Sequence, residues 1–202
     1  MSRLLPSVAV AIVLLLPACR ESKPEAEVDS AEQERAELLA TGKAAMKELG
    51  SNLGGRLKKA IAEGGPVSAV KVCQVEAQPM TEAVGSQREG VTISRTSLKY
   101  RNPKNAPDPL DRSVLEEWQG LLAEGKDLPD LKLHTPESGP ARVYKPIMLQ
   151  PVCLNCHGAD EQLLPELKTV LDDLYPEDRA RGFKVGDLRG AFRVDIERSP
   201  DQ

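Results

Sequence analysis

The spacing of apolar positions changes twice along this chain, and each change predicts a different kind of element. From Ala31 to Glu63, Leu39, Met46, Leu49, Leu53, Leu57 and Ile61 recur at threes and fours or their sums, the spacing that aligns side chains on one helix face. Glycines at 42, 50, 54 and 55 weaken that helix and invite a bend. Gly64, Gly65 and Pro66 then break the chain, and a second, shorter helix restarts, with Val70, Cys73 and Ala77 at i, i+3 and i+7. Beyond it the period drops to two. VTISRTS at 91–97, LKLHT at 131–135, ARVYKPIML at 141–149 and LRGAFRVDI at 188–196 read as strands. Between them, 110–124 is a helix closed by Gly125, and 163–174 is another. Helices first and strands mixed with helices afterwards predict an α+β fold with an antiparallel sheet, as one domain over residues 31–202.

The first thirty residues follow neither rhythm. Arg3 precedes an apolar run from Leu4 to Leu16, followed by Pro17, Ala18 and Cys19, giving a positive start, a short hydrophobic core and a small residue before the cut. This predicts a lipoprotein-type signal peptide at 1–18, with Cys19 as the lipidated residue and the mature chain held at a membrane outside the cytoplasm. An ordinary signal peptide is the alternative. RESKPEAEVDS, inside 19–30, is polar and aperiodic, and is expected to be a flexible tether.

Composition narrows the function classes. The chain has 202 residues, 27 Lys and Arg against 31 Asp and Glu, and a net charge of −4. Removing residues 1–18 takes only Arg3, leaving 26 basic residues against 31 acidic ones. With no basic cluster, this is not the charge pattern of a nucleic-acid binder. Aromatic residues make up only 3% of the chain, so a core of ordinary size would be short of large flat apolar groups.

Candidate chemistry concentrates in CLNCH, Cys153 to His157. C-x-x-C-H is the pattern of c-type haem attachment: two thiols bond the vinyl groups of one haem, and the next histidine becomes an axial ligand of the iron. A zinc site would want a second pair of ligands at zinc spacing, which Cys19, Cys73 and His134 do not form. A redox dithiol does not require the histidine. One covalent haem c is therefore the preferred reading, and it suits an exported protein.

The opposite axial ligand is left open by pattern alone. The 45 residues after His157 contain neither Met nor His, so the candidates lie upstream: Cys73, Met46, Met80, Met148, His134, a lysine, or an open position. Cys73 lies on the apolar side of its helix, where a free cysteine ordinarily serves as a small core hydrophobe.

Four stretches in order, VCQVEA, ISRTSLKYRNPKNAPD, YKPIMLQPVCLNCHG and YPEDRARGFKVGDLRGAFRV, resemble a family of exported single-haem c-type proteins with a PAS-like fold, found alone or as sensor modules of bacterial signalling proteins. The resemblance runs from about residue 37 to 196. It implies a PAS-like antiparallel sheet with N-terminal helices packed on it and haem on Cys153, Cys156 and His157. It also implies that Cys73 is the second axial ligand, which gives the unpaired thiol a partner. Arg95, Lys99, Arg101 and Asn102, in the second stretch, are candidates to meet the haem propionates, since cationic side chains neutralise buried carboxylates. Packing is the expected role of Tyr144, Lys145, Arg189 and Gly190.

Electron transfer with a redox partner is the favoured function, ahead of a redox or gas sensor working through a signalling partner. A peroxidase ranks last, because with His157 committed to iron only His134 is left for acid–base work.

Overall fold

The computed structural model describes residues 25–198. The leader at 1–18, Cys19 and the first part of the tether lie outside the described residues.

Helix α1 spans Glu25–Ser86 and leaves helical geometry at Gly64 (φ −151°, ψ 17°) and Gly65 (φ 70°, ψ −172°). The second of these conformations is essentially reserved for glycine, so the break predicted at Gly-Gly-Pro is written into the backbone. It reverses the chain. Arg56 grips Glu76 with two hydrogen bonds of 2.5 and 2.7 Å, and Arg88 reaches Glu48 at 2.7 Å, so the arms 25–63 and 66–86 run antiparallel as a hairpin. The first arm begins at Glu25, so the last six residues of the stretch expected to be a flexible tether, 25–30, are helical. Glutamate and alanine there are good helix formers and extend the arm.

Four antiparallel strands follow: β1 (Val91–Thr96), β2 (Lys132–His134), β3 (Ala141–Met148) and β4 (Leu188–Ile196), in the order β1-β4-β3-β2. The C-terminal strand is inserted between the first and the third, so the sheet is complete only when the last segment arrives. Alternation along each strand divides the side chains between two layers. On one face Ile93, Val143 and Val194 meet Leu38, Met46, Leu49 and Val84 of the hairpin. On the other, α2 (Pro109–Ala123) sets Val114, Leu115 and Trp118 against Tyr144, Leu188 and Ala191. Asp108 starts α2 by accepting the Asp111 N–H at 2.9 Å, while Asp111 accepts the Asp108 N–H at 3.4 Å.

The short helix α3 (Leu154–His157), with Cys153 in the turn just before it, carries the C-x-x-C-H residues, and α4 (Pro165–Leu174) packs Leu167 and Leu171 on Val70 of the second arm. The chain is thus α+β, an open antiparallel sheet with N-terminal helices laid on it, as the sequence predicts. No helix among the described residues is long and apolar enough to cross a membrane.

Candidate functional site

One end of the hairpin, the end of β1 and α3 enclose a cleft of about 300 Å³, at the small end of the about 300–1,000 Å³ usual for ligand and cofactor sites. Its apolar wall comes from both arms, with Leu53, Leu57 and Ile61 facing Ala69 and Val70. Its chemistry comes from segments far apart in the chain: Cys73 on the second arm, Arg95 on β1, Arg101 and Asn102 on the following loop, Cys153, Cys156 and His157 on α3 and the turn before it, and Arg189 on β4.

Of the side chains weighed against Cys73 as the group facing His157, none lines this cleft. Met46 is 2% exposed in the core beneath the sheet, where burial is worth about 1.5–3 kcal/mol that it would forfeit by leaving. Met148 packs toward the Trp118 cluster, His134 lies on β2, and neither Met80 nor any lysine is among the lining residues.

His157 is oriented from behind. Its Nδ1 lies 2.7 Å from the Ala180 carbonyl, which can only accept, so Nδ1 carries the proton and Nε2 keeps its lone pair. Burial, with Arg189 and Arg101 adding repulsion, holds the imidazole well below its ordinary pKa and therefore neutral. The same loop is stitched to α3 by backbone bonds from Gly182 N–H to the Gly158 carbonyl and from Phe183 N–H to the His157 carbonyl, both 2.9 Å. Phe183 adds an edge-on contact to the imidazole, with ring centroids 6.2 Å apart.

Arg101 ties these pieces together. Its Nη2 donates to the Cys156 carbonyl at 2.6 Å and the Ala180 carbonyl at 3.3 Å, and pairs with Asp178 at 3.1 Å. Burial would raise the Asp178 pKa, but the charge and hydrogen bond of Arg101 and the Ala180 N–H hold it below the usual carboxylate range. Burial pushes the Cys73 and Cys156 thiols up, against the pull of nearby guanidinium groups, so either thiolate would depend on a cationic partner.

Seven of the eight candidate cofactor residues read from the sequence thus converge on one cleft. Lys99 does not line it. Its ammonium donates to the Arg181 carbonyl and sits 4.4 Å over the Phe183 ring, bracing the loop behind His157. Asn102 lines the cleft, but its side-chain oxygen is taken by the Lys104 N–H at 2.9 Å. Arg189, expected only to pack, is the residue the sequence reading missed. Gly190 pairs with Ile147 and Leu188 with Met148, so Arg189 is the extra residue of a β-bulge, and it lines the cleft. The glycine that follows it inside a strand pattern, a mark of a bulge, is the signal that could have found it.

A wider depression of about 710 Å³ lies on the outer side of the 175–182 loop, bordered by Asp160, Asp172 and Arg181. Arg181 bonds both Asp172 (2.5 Å) and Asp178 (3.0 Å), and Asp160 pairs with Lys168 at 3.0 Å, so its charges are largely spent on one another.

The Tll0287-like family model matches residues 24–197. Among solved structures, the chain is similar to the crystal structure of the cyanobacterial heme-protein Tll0287, with 27% identity and a TM-score of 0.62 over 82% of this chain and 98% of that one. No curated protein sequence matches. Taken with the architecture, a match over nearly the whole described chain places this protein in the Tll0287-like family.

Proposed function

We propose that this is an exported haem protein with a redox role. Its single haem c would be bonded through Cys153 and Cys156, with His157 and Cys73, which line the same cleft, as the iron's two axial ligands. The observation that carries the reading is the meeting of Cys73 with the C-x-x-C-H residues in one apolar cleft, although 80 positions separate Cys73 from Cys153. The heme-protein relative supports the same cofactor.

The residues present suit such a group. The cleft walls are apolar, the Nε2 lone pair of His157 is free, and the buried Nε atoms of Arg95 and Arg101 have no hydrogen-bond partner among the described residues, where an anionic periphery would find donors. When bound, the haem supplies one-electron chemistry at iron. The protein's part is to hold His157 neutral through the Ala180 carbonyl, to bring Cys73 from the hairpin, and to keep water away with Leu53, Leu57, Ile61 and Val70. A thiolate donates electron density and favours the ferric state, so the potential should lie below that of His/Met cytochromes.

Attachment through lipid on Cys19 would place the domain in the cell envelope, within reach of a redox partner protein. A second reading, a redox or gas sensor acting through a signalling partner, is favoured by the hairpin itself. Cys73 sits on the arm whose Val70 packs against Leu167 and Leu171 of α4, so a change of bonding at Cys73 would be passed to that contact.

Absorption spectra of the purified protein in both oxidation states test the reading. The account expects covalent haem and a six-coordinate ferric form, and a protein without covalent haem contradicts it. Carbon monoxide added to the reduced protein separates the roles: no Soret shift at saturation supports a carrier, and a shift supports a sensor. Changing Cys19 to alanine should release the protein from membranes or block its processing, whereas wild-type protein already soluble after fractionation would leave an ordinary signal peptide.

A further inference from the structure

The cleft contains more positive charge than its own residues balance. Arg101 has Asp178. Arg95 makes one long contact, Nη2 to the Ala77 carbonyl at 3.4 Å, and its Nε is buried without a partner. Arg189 uses Nη1 alone, donating to Ser97 Oγ at 2.9 Å and the Lys99 carbonyl at 3.0 Å, while its guanidinium carbon lies 5.4 Å from the Phe183 ring centre. Among the described residues neither Arg95 nor Arg189 forms an ion pair, and Nε and Nη2 of Arg189 make no hydrogen bond.

The backbone goes out of its way to deliver the second of these cations. Gly190 has φ 156°, and a Cβ there would stand 2.4 Å from the Thr96 carbonyl oxygen, so the bulge presses β4 against the end of β1. As the unpaired residue of the bulge, Arg189 departs from the alternation of its strand, and its side chain borders the cleft that β1 also reaches through Arg95. Two guanidinium groups on adjacent strands, each with unspent donors, match two carboxylates on one rigid body, since guanidinium and carboxylate pair through parallel hydrogen bonds.

We infer that Arg95 and Arg189 form a clamp for the two propionates of the haem, and that Arg189 is a positioning residue whose charge sets the reduction potential. The inference rests on the haem reading above. It reassigns the anchors expected from the sequence: Arg101 straps α3, Lys99 braces the loop, and Arg189 takes the vacant role. Reduction lowers the charge at iron, so a fixed positive charge favours the reduced form and its removal favours the oxidised one.

Spectroelectrochemistry on holo-protein tests this, with infrared difference spectra reporting the propionate carboxylates. Arg189→Gln should keep covalent haem and the wild-type ligand spectrum but lower the reduction equilibrium constant about tenfold, about 59 mV for a one-electron couple. That is the effect of one unit charge about 10 Å away at an effective dielectric constant of about 20. The carboxylate bands should shift with it. Arg189→Lys keeps the charge without the fork and should restore most of the potential. Should Arg189→Gln fail to fold, Arg95→Gln reads the same clamp from the other strand and should move the potential in the same direction. An unchanged potential with unmoved carboxylate bands, in a variant carrying its full complement of haem, would overturn the clamp and leave the haem reading standing. Absence of covalent haem from the wild type would overturn both, and is read before any variant is made.

Discussion

Two clusters of partly buried charge flank the sheet, and they are built on opposite plans. On the α2 face, Asp108, Asp111 and Asp195 surround Arg142 and Arg193, with contacts of 2.6 Å from Arg142 to Asp108, 2.7 Å from Arg142 to Asp195 and 2.9 Å from Arg193 to Asp111. Tyr144 completes it by donating to Asp111 at 2.8 Å. The cleft at the other side of the molecule brings together Arg95, Arg101 and Arg189, of which only Arg101 has a carboxylate partner, Asp178. Taking charge out of water is costly unless partners compensate it. In the first cluster every charged group has an opposite charge beside it within the chain, although Asp195 Oδ1 is met by an ion pair and not by a hydrogen bond. The second is left open, which makes sense for a site that takes its missing anions from a bound group.

If that contrast holds, breaking the closed cluster should cost stability. Asp111 is 1% exposed and serves Arg193, Tyr144 and the α2 cap together, so Asp111→Asn should lower unfolding free energy by about 3 kcal/mol, measured by chemical denaturation of holo-protein. A loss below about 1 kcal/mol would mean that the network is not as tightly coupled as its geometry indicates.

Acid sharpens the comparison further. Burial would raise the Asp108 pKa, but the Asp111 N–H and the charge of Arg142 and Arg193 outweigh it, so the folded value lies below the unfolded one. A depressed carboxylate contributes stability that is fully present above its unfolded pKa of about 3.9 and is lost as pH falls through the folded value. Unfolding midpoints followed downward from pH 6 should therefore decline below about pH 4, and Arg142→Gln should make that decline shallower. An acid limb identical in the two proteins would remove Asp108 from the account.

The smallest effect belongs to the pair that closes the hairpin. Arg56 and Glu76 are only partly buried, so Arg56→Gln should produce only a slight loss of thermal stability at low salt, and less in 1 M salt, where screening acts over about 3 Å. A loss undiminished in high salt would show that Arg56 works by packing rather than by charge.

Much of this was legible beforehand, for reasons that differ by residue. Strands at 91–96, 141–148 and 188–196 appear almost where alternation predicts them, because pleating imposes a period of two on any strand with one buried face. The break between the two helices was legible from Gly64, Gly65 and Pro66, and only glycine adopts the backbone of Gly65; that the chain reverses there was not. Strand order was not, since β4 pairs with β1 across 95 to 105 positions of chain and with β3 across 40 to 55. In the site, C-x-x-C-H announced itself through fixed spacing. Cys73 did not: by pattern it was one more small apolar residue, and only the folded hairpin brings it to the cleft. Lys99 and Arg189 exchanged their expected places for a local reason: Lys99 turned to the Arg181 carbonyl, and the bulge carried Arg189 inward.

The central claim is that two walls of one cleft supply the two axial ligands, and electron paramagnetic resonance of the ferric protein tests it most directly. The account predicts a low-spin thiolate signature in the wild type, and its disappearance in Cys73→Ala while haem stays covalently attached through Cys153 and Cys156. A ferric spectrum unchanged by that substitution would return Cys73 to the role of a core thiol and contradict the account.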